Sequence, residues 1–105
     1  MKVSIITATY NSEKTIKDTI LSLESQDYDN IEFIIIDGGS KDNTLTVAQE
    51  HSSRIAKIIS EPDKGIYDAL NNGILHSTGD IVGFLHSDDV FSYPSAVSDI
   101  VNSFS

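Results

Sequence analysis

Ile31-Glu32-Phe33-Ile34-Ile35-Ile36 runs straight into Asp37-Gly38-Gly39-Ser40-Lys41-Asp42. Four consecutive apolar residues, Phe33 to Ile36, leave the strand no polar face. It must be covered on both sides, as in a parallel sheet flanked by helices. The polar segment after it marks where the chain leaves the sheet. Its two glycines permit a sharp bend and a close approach of ligand to backbone. Asp42 is suited to cap a helix running from Thr44 to about His51.

The same alternation extends outward in both directions. Toward the N-terminus, Val3 to Thr9 has the β-branched density of a strand. Asn11-Ser12 then offers side-chain oxygens for a helix start, and Ile16, Ile20, Leu21 and Leu23 recur at helical spacing. A polar link, Gln26 to Asn30, closes that unit. Toward the C-terminus, Ile55 to Ser60 reads as a shorter strand, and Glu61-Pro62-Asp63-Lys64-Gly65 as a loop, because Pro62 biases Glu61 away from helix. Ile66, Ala69, Leu70, Gly73 and Ile74 form one helical face. Gly73 allows close packing there, and Gly79 is suited to stop the helix. Asp80 or Ile81 to Leu85 is a fourth strand, which ends in His86-Ser87-Asp88-Asp89. Ala96, Val97, Ile100, Val101 and Phe104 pattern a last helix. The order βαβαβαβα predicts an α/β fold with a mainly parallel sheet, helices on both faces and right-handed crossovers.

Length and composition bound the function. One hundred and five residues make one domain or a piece of one. The net charge of −9, from 16 acidic and 7 basic residues, argues against a nucleic-acid partner, which needs a basic surface. It favours a cation-bridged phosphate ligand over direct capture by Lys and Arg. There is no Cys, so disulfides and thiolate metal sites are excluded, which fits a reducing compartment. The apolar N-terminal run is too short for a signal peptide, and no stretch approaches the ~18 to 20 apolar residues of a membrane span. No internal repeat or low-complexity segment is present.

In a parallel sheet the C-terminal strand ends share one edge, where α/β proteins bind ligands. Here that edge collects Thr9-Tyr10-Asn11, Asp37-Gly38-Gly39-Ser40, the Glu61 to Gly65 loop, and His86-Ser87-Asp88-Asp89. Taken singly, each has an ordinary explanation. Asp37 and Asp42 suit a turn and a cap, Asp88-Asp89 suits a solvated turn, and Tyr10 suits a half-buried anchor. His51 and His76 suit helix ends, and His86 a packed loop or a metal neighbour. Convergence of four clusters is the stronger signal. Adjacent carboxylates at such an edge suit a hard divalent cation. Lys64-Gly65 lacks P-loop spacing, and no G-x-G-x-x-G follows the first strand, which argues against a dinucleotide site. No H-E-x-x-H or Ser/His/Asp motif points to hydrolysis.

The blocks in series resemble family 2 inverting glycosyltransferases of the GT-A fold. Val3-Ser4-Ile5-Ile6-Thr7-Ala8-Thr9-Tyr10-Asn11 is similar to their opening strand, and Ile36-Asp37-Gly38-Gly39-Ser40-Lys41-Asp42-Asn43-Thr44 to their nucleotide-recognition turn. Glu61-Pro62-Asp63-Lys64-Gly65-Ile66-Tyr67-Asp68-Ala69, with Asn71 and Gly73, resembles their next block, in wording close to a bacterial polysaccharide-biosynthesis subgroup. Gly79-Asp80 and Ser87-Asp88-Asp89 resemble the approach to, and the carboxylates of, the so-called DXD motif. Ser87 stands where a strict motif has its first Asp, which shifts more of the metal binding to Asp89.

The resemblance implies that residues 1–105 are the Rossmann-like, nucleotide-sugar-binding half of a glycosyltransferase domain, truncated at the C-terminal end. Thr9 and Tyr10 would contact the nucleotide, and Asp37 would accept a hydrogen bond from a uracil N–H. Asp63 and Lys64 would line the same pocket, Asp88 would lie near the ribose or sugar, and Asp89 would bind Mn²⁺ or Mg²⁺ on the diphosphate. The implied reaction transfers a sugar, with inversion, from a UDP-sugar to a saccharide or lipid-linked acceptor. It would occur in the cytoplasm, with the parent enzyme associated peripherally with the inner membrane face. The general base would come from beyond Ser105. Two other classes compete: a non-catalytic nucleotide-binding fragment or assembly module, and a receiver-like signalling domain. The last expects acidic residues after the first strand, where this chain has Thr9-Tyr10-Asn11.

Overall fold

The computed structural model describes residues 1–51, 55–62, 66–85 and 95–104. Its elements alternate as the sequence predicts: β1 (Val3–Thr9), α1 (Ile16–Glu24), β2 (Ile31–Asp37), α2 (Thr44–Glu50), β3 (Ile55–Ser60), α3 (Ile66–His76), β4 (Ile81–Phe84) and α4 (Ala96–Phe104). All strand pairings are parallel, and the sheet order is β3-β2-β1-β4. The chain therefore steps outward from β1 to β3, then returns to lay β4 on the other side of β1. β1 and β2 become the central strands, which explains their nearly unbroken burial.

Period-two alternation sends the side chains of each strand to two separate cores. On one face Val3, Ile5, Phe33 and Ile35 pack with Ile16, Ile20 and Leu23 of α1, Ala48 of α2 and Val97 of α4. On the other, Ile6, Ile34 and Ile36 pack with Ala69, with Leu70 alongside. Helices thus cover both faces, three on one and α3 on the other. On the α3 face, Val82 and Phe84 of the edge strand β4 are 37% and 49% exposed.

α3 lies very close to β1. A Cβ added at Gly73 would fall 2.4 Å from Cγ2 of Ile6, itself fully buried. Gly79 works differently from the helix stop expected of it. Among the described residues only Gly39 is a glycine at positive φ. Gly79 instead passes so near β1 that a Cβ would sit 2.5 Å from Ser4 Oγ and 2.7 Å from the Ser4 nitrogen. The end of α3 is closed by Lys57, whose ammonium donates to the His76 carbonyl at 2.7 Å.

At the sheet edge opposite the loops described below, Glu32 is 7% exposed. It accepts hydrogen bonds from Ser4 Oγ (2.9 Å), the Thr78 N–H (2.8 Å) and Thr78 Oγ1 (3.0 Å), and it pairs with Lys2 at 3.4 Å. Burial alone would raise its pKa, but these donors outweigh it and hold the carboxyl down at about 2. The network ties the α3–β4 turn to β1 and β2.

Candidate active site

Parallel pairing brings three polar strand ends into one transverse row. Thr9 stands opposite Asp37, and Asp37 opposite Ser60. The Thr9 hydroxyl donates to Asp37 Oδ1 at 2.7 Å, and the Ser60 hydroxyl to Oδ2 at 3.0 Å. The chain then turns back on the same carboxylate. The N–H groups of Gly39 and Ser40 donate to Oδ2 at 3.0 and 2.8 Å, and the Ser40 hydroxyl to Oδ1 at 2.5 Å. Gly39 makes this turn at φ 87, a conformation for which glycine is the ordinary choice.

Asp37 is fully buried, and burial by itself would raise its pKa. The donors from Ser40, Thr9 and Ser60 outweigh that and hold the carboxyl below its ordinary value. A carboxylate offers about four lone-pair positions, and five donors from the chain already address this one. Asp37 therefore ties the ends of β1, β2 and β3 together in this structure.

The loop after β1 is fastened to the loop after β2 along its length. The Gly38 N–H donates to the Thr9 carbonyl at 2.9 Å. The Asn11 N–H donates to Ser40 Oγ at 2.8 Å, and Asn11 Oδ1 accepts the Lys41 N–H at 2.9 Å. Further on, the Ser12 N–H donates to Thr44 Oγ1 at 2.7 Å and the Glu13 N–H to Asp42 Oδ2 at 3.3 Å. Asp42 also accepts the Thr44 N–H at 3.0 Å through Oδ1, but the N-cap of α2 is Asn43, without a side-chain cap bond, so Asp42 stands one residue ahead of the cap expected of it. Nor does Asn11-Ser12 start α1. That helix begins at Ile16 after a turn in which the Ile16 N–H donates to the Ser12 carbonyl at 2.9 Å. The Asn11 side chain is drawn to the neighbouring loop, and Asn11 adopts φ 49.

Tyr10 is not the half-buried anchor that one reading of the sequence allowed. It is 59% exposed, on a backbone held on both sides. Thr9, Tyr10 and Asp37 thus share one edge. The loop after β3 starts there too, since the Glu61 N–H donates to the Asp37 carbonyl at 3.0 Å. β4 joins at the same end, with the Leu85 N–H donating to the Ile6 carbonyl at 3.0 Å. Asp63, Lys64, Asp88 and Asp89 lie outside the described residues. Among the described residues no cluster of three or more His, Asp or Glu is suited to a metal ion. The sequence placed Asn11 and Ser40 in the edge clusters without giving either a role, and it did not single out Ser60. The signal for Ser60 was faint: it is a single polar residue at the end of β3.

A parallel sheet with polar loops gathered on its C-terminal edge is the arrangement in which open α/β domains bind ligands. Residues 4–105 match the model of glycosyl transferase family 2. The chain belongs to that family. It is 42% identical over 104 residues to an uncharacterised glycosyltransferase of Mycobacterium tuberculosis, covering 98% of this chain and 40% of that protein. It is 40% identical over 90 residues to the Escherichia coli UDP-Glc:α-D-GlcNAc-diphosphoundecaprenol β-1,3-glucosyltransferase WfgD, covering 85% of this chain and 36% of WfgD. Among solved structures, the mannosyltransferase PcManGT of Pyrobaculum calidifontis, in complex with GDP-Man and Mn²⁺, superposes with a TM-score of 0.89 at 25% identity. That match covers 95% of this chain and 31% of PcManGT. The chain therefore spans less than half the length of these relatives. Among the described residues no helix is long and apolar enough to cross a membrane.

Proposed function

We propose that this chain is the donor-binding portion of a glycosyltransferase that moves a sugar, with inversion, from a UDP-sugar to a saccharide or lipid-linked acceptor. The observation that carries the reading is the convergence of the ends of β1 and β3 and the loop after β2 on one buried carboxylate, with the exposed Tyr10 following Thr9 in the chain. WfgD, whose name gives a UDP-sugar donor and a diphosphate-lipid acceptor, supports the choice of uridine and of a lipid-linked acceptor. The Mn²⁺ in the PcManGT complex supports a divalent cation.

In this reading Tyr10 and Thr9 contact the nucleoside, and Asp37 accepts a hydrogen bond from the uracil N–H. Asp63 and Lys64 line the pocket, Asp88 lies on the ribose or sugar side, and Asp89 holds Mn²⁺ or Mg²⁺. Such a cation, when bound, stabilises the charge that grows on the departing diphosphate. The base that activates the acceptor hydroxyl lies outside residues 1–105, and the parent enzyme works in the cytoplasm at the inner membrane face.

The test is thermal. UDP with Mn²⁺ should raise the unfolding midpoint, and Asp89→Ala should remove most of the gain, because a ligand stabilises only by its binding to the folded chain. Equal stabilisation with and without the metal counts against Asp89 as a metal ligand. No stabilisation by UDP in either condition counts against the donor site itself.

A further inference from the structure

A closed ring of bonds brackets Tyr10. Starting at Thr9, the hydroxyl donates to Asp37 Oδ1, which also accepts the Ser40 hydroxyl. Ser40 Oγ in turn accepts the Asn11 N–H, and the backbone through Tyr10 returns to Thr9. A second strut leaves the same corner, where Asn11 Oδ1 accepts the Lys41 N–H at 2.9 Å. Of the residues in the ring, Tyr10 alone directs a large apolar side chain to solvent, 59% exposed. With the backbone held at both neighbours the Cα–Cβ direction of Tyr10 is set, so only its two side-chain torsions remain to be ordered when a flat ligand settles on the ring.

Asn11 is the corner on which this depends. Its φ of 49 lies in the left-handed region, which Asn tolerates better than most residues because its short polar side chain bonds locally. One residue therefore supplies the reversal of the chain and two of the bonds that hold the β1 loop to the β2 loop.

We propose that Asn11 is a specificity-determining positioning residue, which through Ser40 and Lys41 fixes the Tyr10 ring as the platform for the nucleobase of the donor. This rests on the donor-site reading above. Asn11 does not touch the ligand. It sets how much of the binding comes from the base, while binding of the diphosphate is independent of it.

The decisive comparison uses the 105-residue chain with Asn11→Gly, Asn11→Asp and Ser40→Ala. Glycine keeps the left-handed turn and removes only the side-chain strut, whereas aspartate keeps both the turn and an acceptor for the Lys41 N–H. Uridine and Mn²⁺-pyrophosphate are titrated separately, and amide hydrogen exchange at Lys41 reads the strut without ligand. Asn11→Gly should weaken uridine by about 2- to 12-fold, the equivalent of one intramolecular hydrogen bond. Pyrophosphate binding should stay unchanged, and Lys41 should lose protection. Asn11→Asp should restore both readings. Ser40→Ala should follow Asn11→Gly in direction.

Equal losses for uridine and pyrophosphate would mean general destabilisation and would overturn the proposal. So would unchanged uridine binding in a variant whose Lys41 amide has lost protection. If the unsubstituted chain binds neither ligand, the donor-site reading falls, and the role of Asn11 falls with it, even where exchange finds the strut intact. If it binds pyrophosphate but not uridine, the donor site survives and the platform does not.

Discussion

Thr9 and Asp37 face each other at the last paired position of β1 and β2, and the Thr9 hydroxyl donates to the Asp37 carboxylate at 2.7 Å. Neither residue reaches solvent appreciably. Their bond is the centre of a row that Ser60 completes from β3. Three loops of the candidate site therefore hang from one ionised group.

Asp37→Asn should be costly to stability. An amide cannot accept from all the donors now directed at this carboxylate, and each buried donor left unpaired costs about 1–3 kcal/mol. For a domain of this size, each kcal/mol lowers the melting temperature by about 4–8 °C. Thr9→Val removes a single donor and should cost about 0.5–1.5 kcal/mol. Thermal denaturation of the two variants at pH 7 checks the order. A smaller loss for Asp37→Asn than for Thr9→Val would show that the carboxylate is not the hub.

Glu32 gives the chain an acid sensitivity of known sign. Its folded-state pKa lies at about 2, below the ordinary 4.5. Its contribution to stability is therefore complete above the unfolded value and is lost as pH falls through the folded one. The stability difference between the unsubstituted chain and Glu32→Gln should be widest near neutrality and should shrink between pH 4.5 and about 2. Urea midpoints across that range measure it. A gap that is flat with pH would mean the carboxylate is not held ionised by its neighbours. Asp37, whose pKa is also lowered, should act in the same direction below its ordinary value.

Gly73→Ala should destabilise, although alanine is the better helix former by about 1 kcal/mol. The new methyl would lie 2.4 Å from Ile6 Cγ2, and overpacking of this kind typically costs about 1–3 kcal/mol. The cost should shrink in an Ile6→Ala background, because the two positions share one contact. A melting temperature raised by Gly73→Ala alone would mean α3 moves away from β1 at little cost.

Tyr10→Ala separates binding from folding. At 59% exposure the ring contributes little to the core, so stability should change by less than about 0.5 kcal/mol. Uridine binding should weaken by about 1–3 kcal/mol, the usual worth of one aromatic–base stack, and Tyr10→Phe should retain most of it. Calorimetric titration of both variants decides the point. Equal losses for Phe and Ala would indicate a hydroxyl contact in place of stacking.

Local pattern was enough for the architecture. Phe33 to Ile36 has no polar face, so β2 had to be central and parallel, and the helical spacing of Ile16, Ile20 and Leu23 gave α1 its buried side. Strand ends were equally legible, because Thr9, Asp37 and Ser60 each close a run of apolar residues. The partners of those ends were not. Register is a relation between strands remote in sequence, and only the paired sheet sets Thr9 against Asp37 and Asp37 against Ser60. That pairing also directs donors from three strand ends at Asp37, a convergence the sequence could not display. It also made Asn11 a clamp across loops, its side chain accepting the Lys41 N–H, where the sequence suggested a helix start. Gly79 shows the same division: glycine was plain in the sequence, but its reason, the close passage of β1, exists only once the sheet has formed. Hydrophobic periodicity is a property of neighbouring residues and survives in one dimension. Hydrogen-bond partnership between loops depends on which strand ends the folded sheet makes adjacent, and tertiary structure alone decides that.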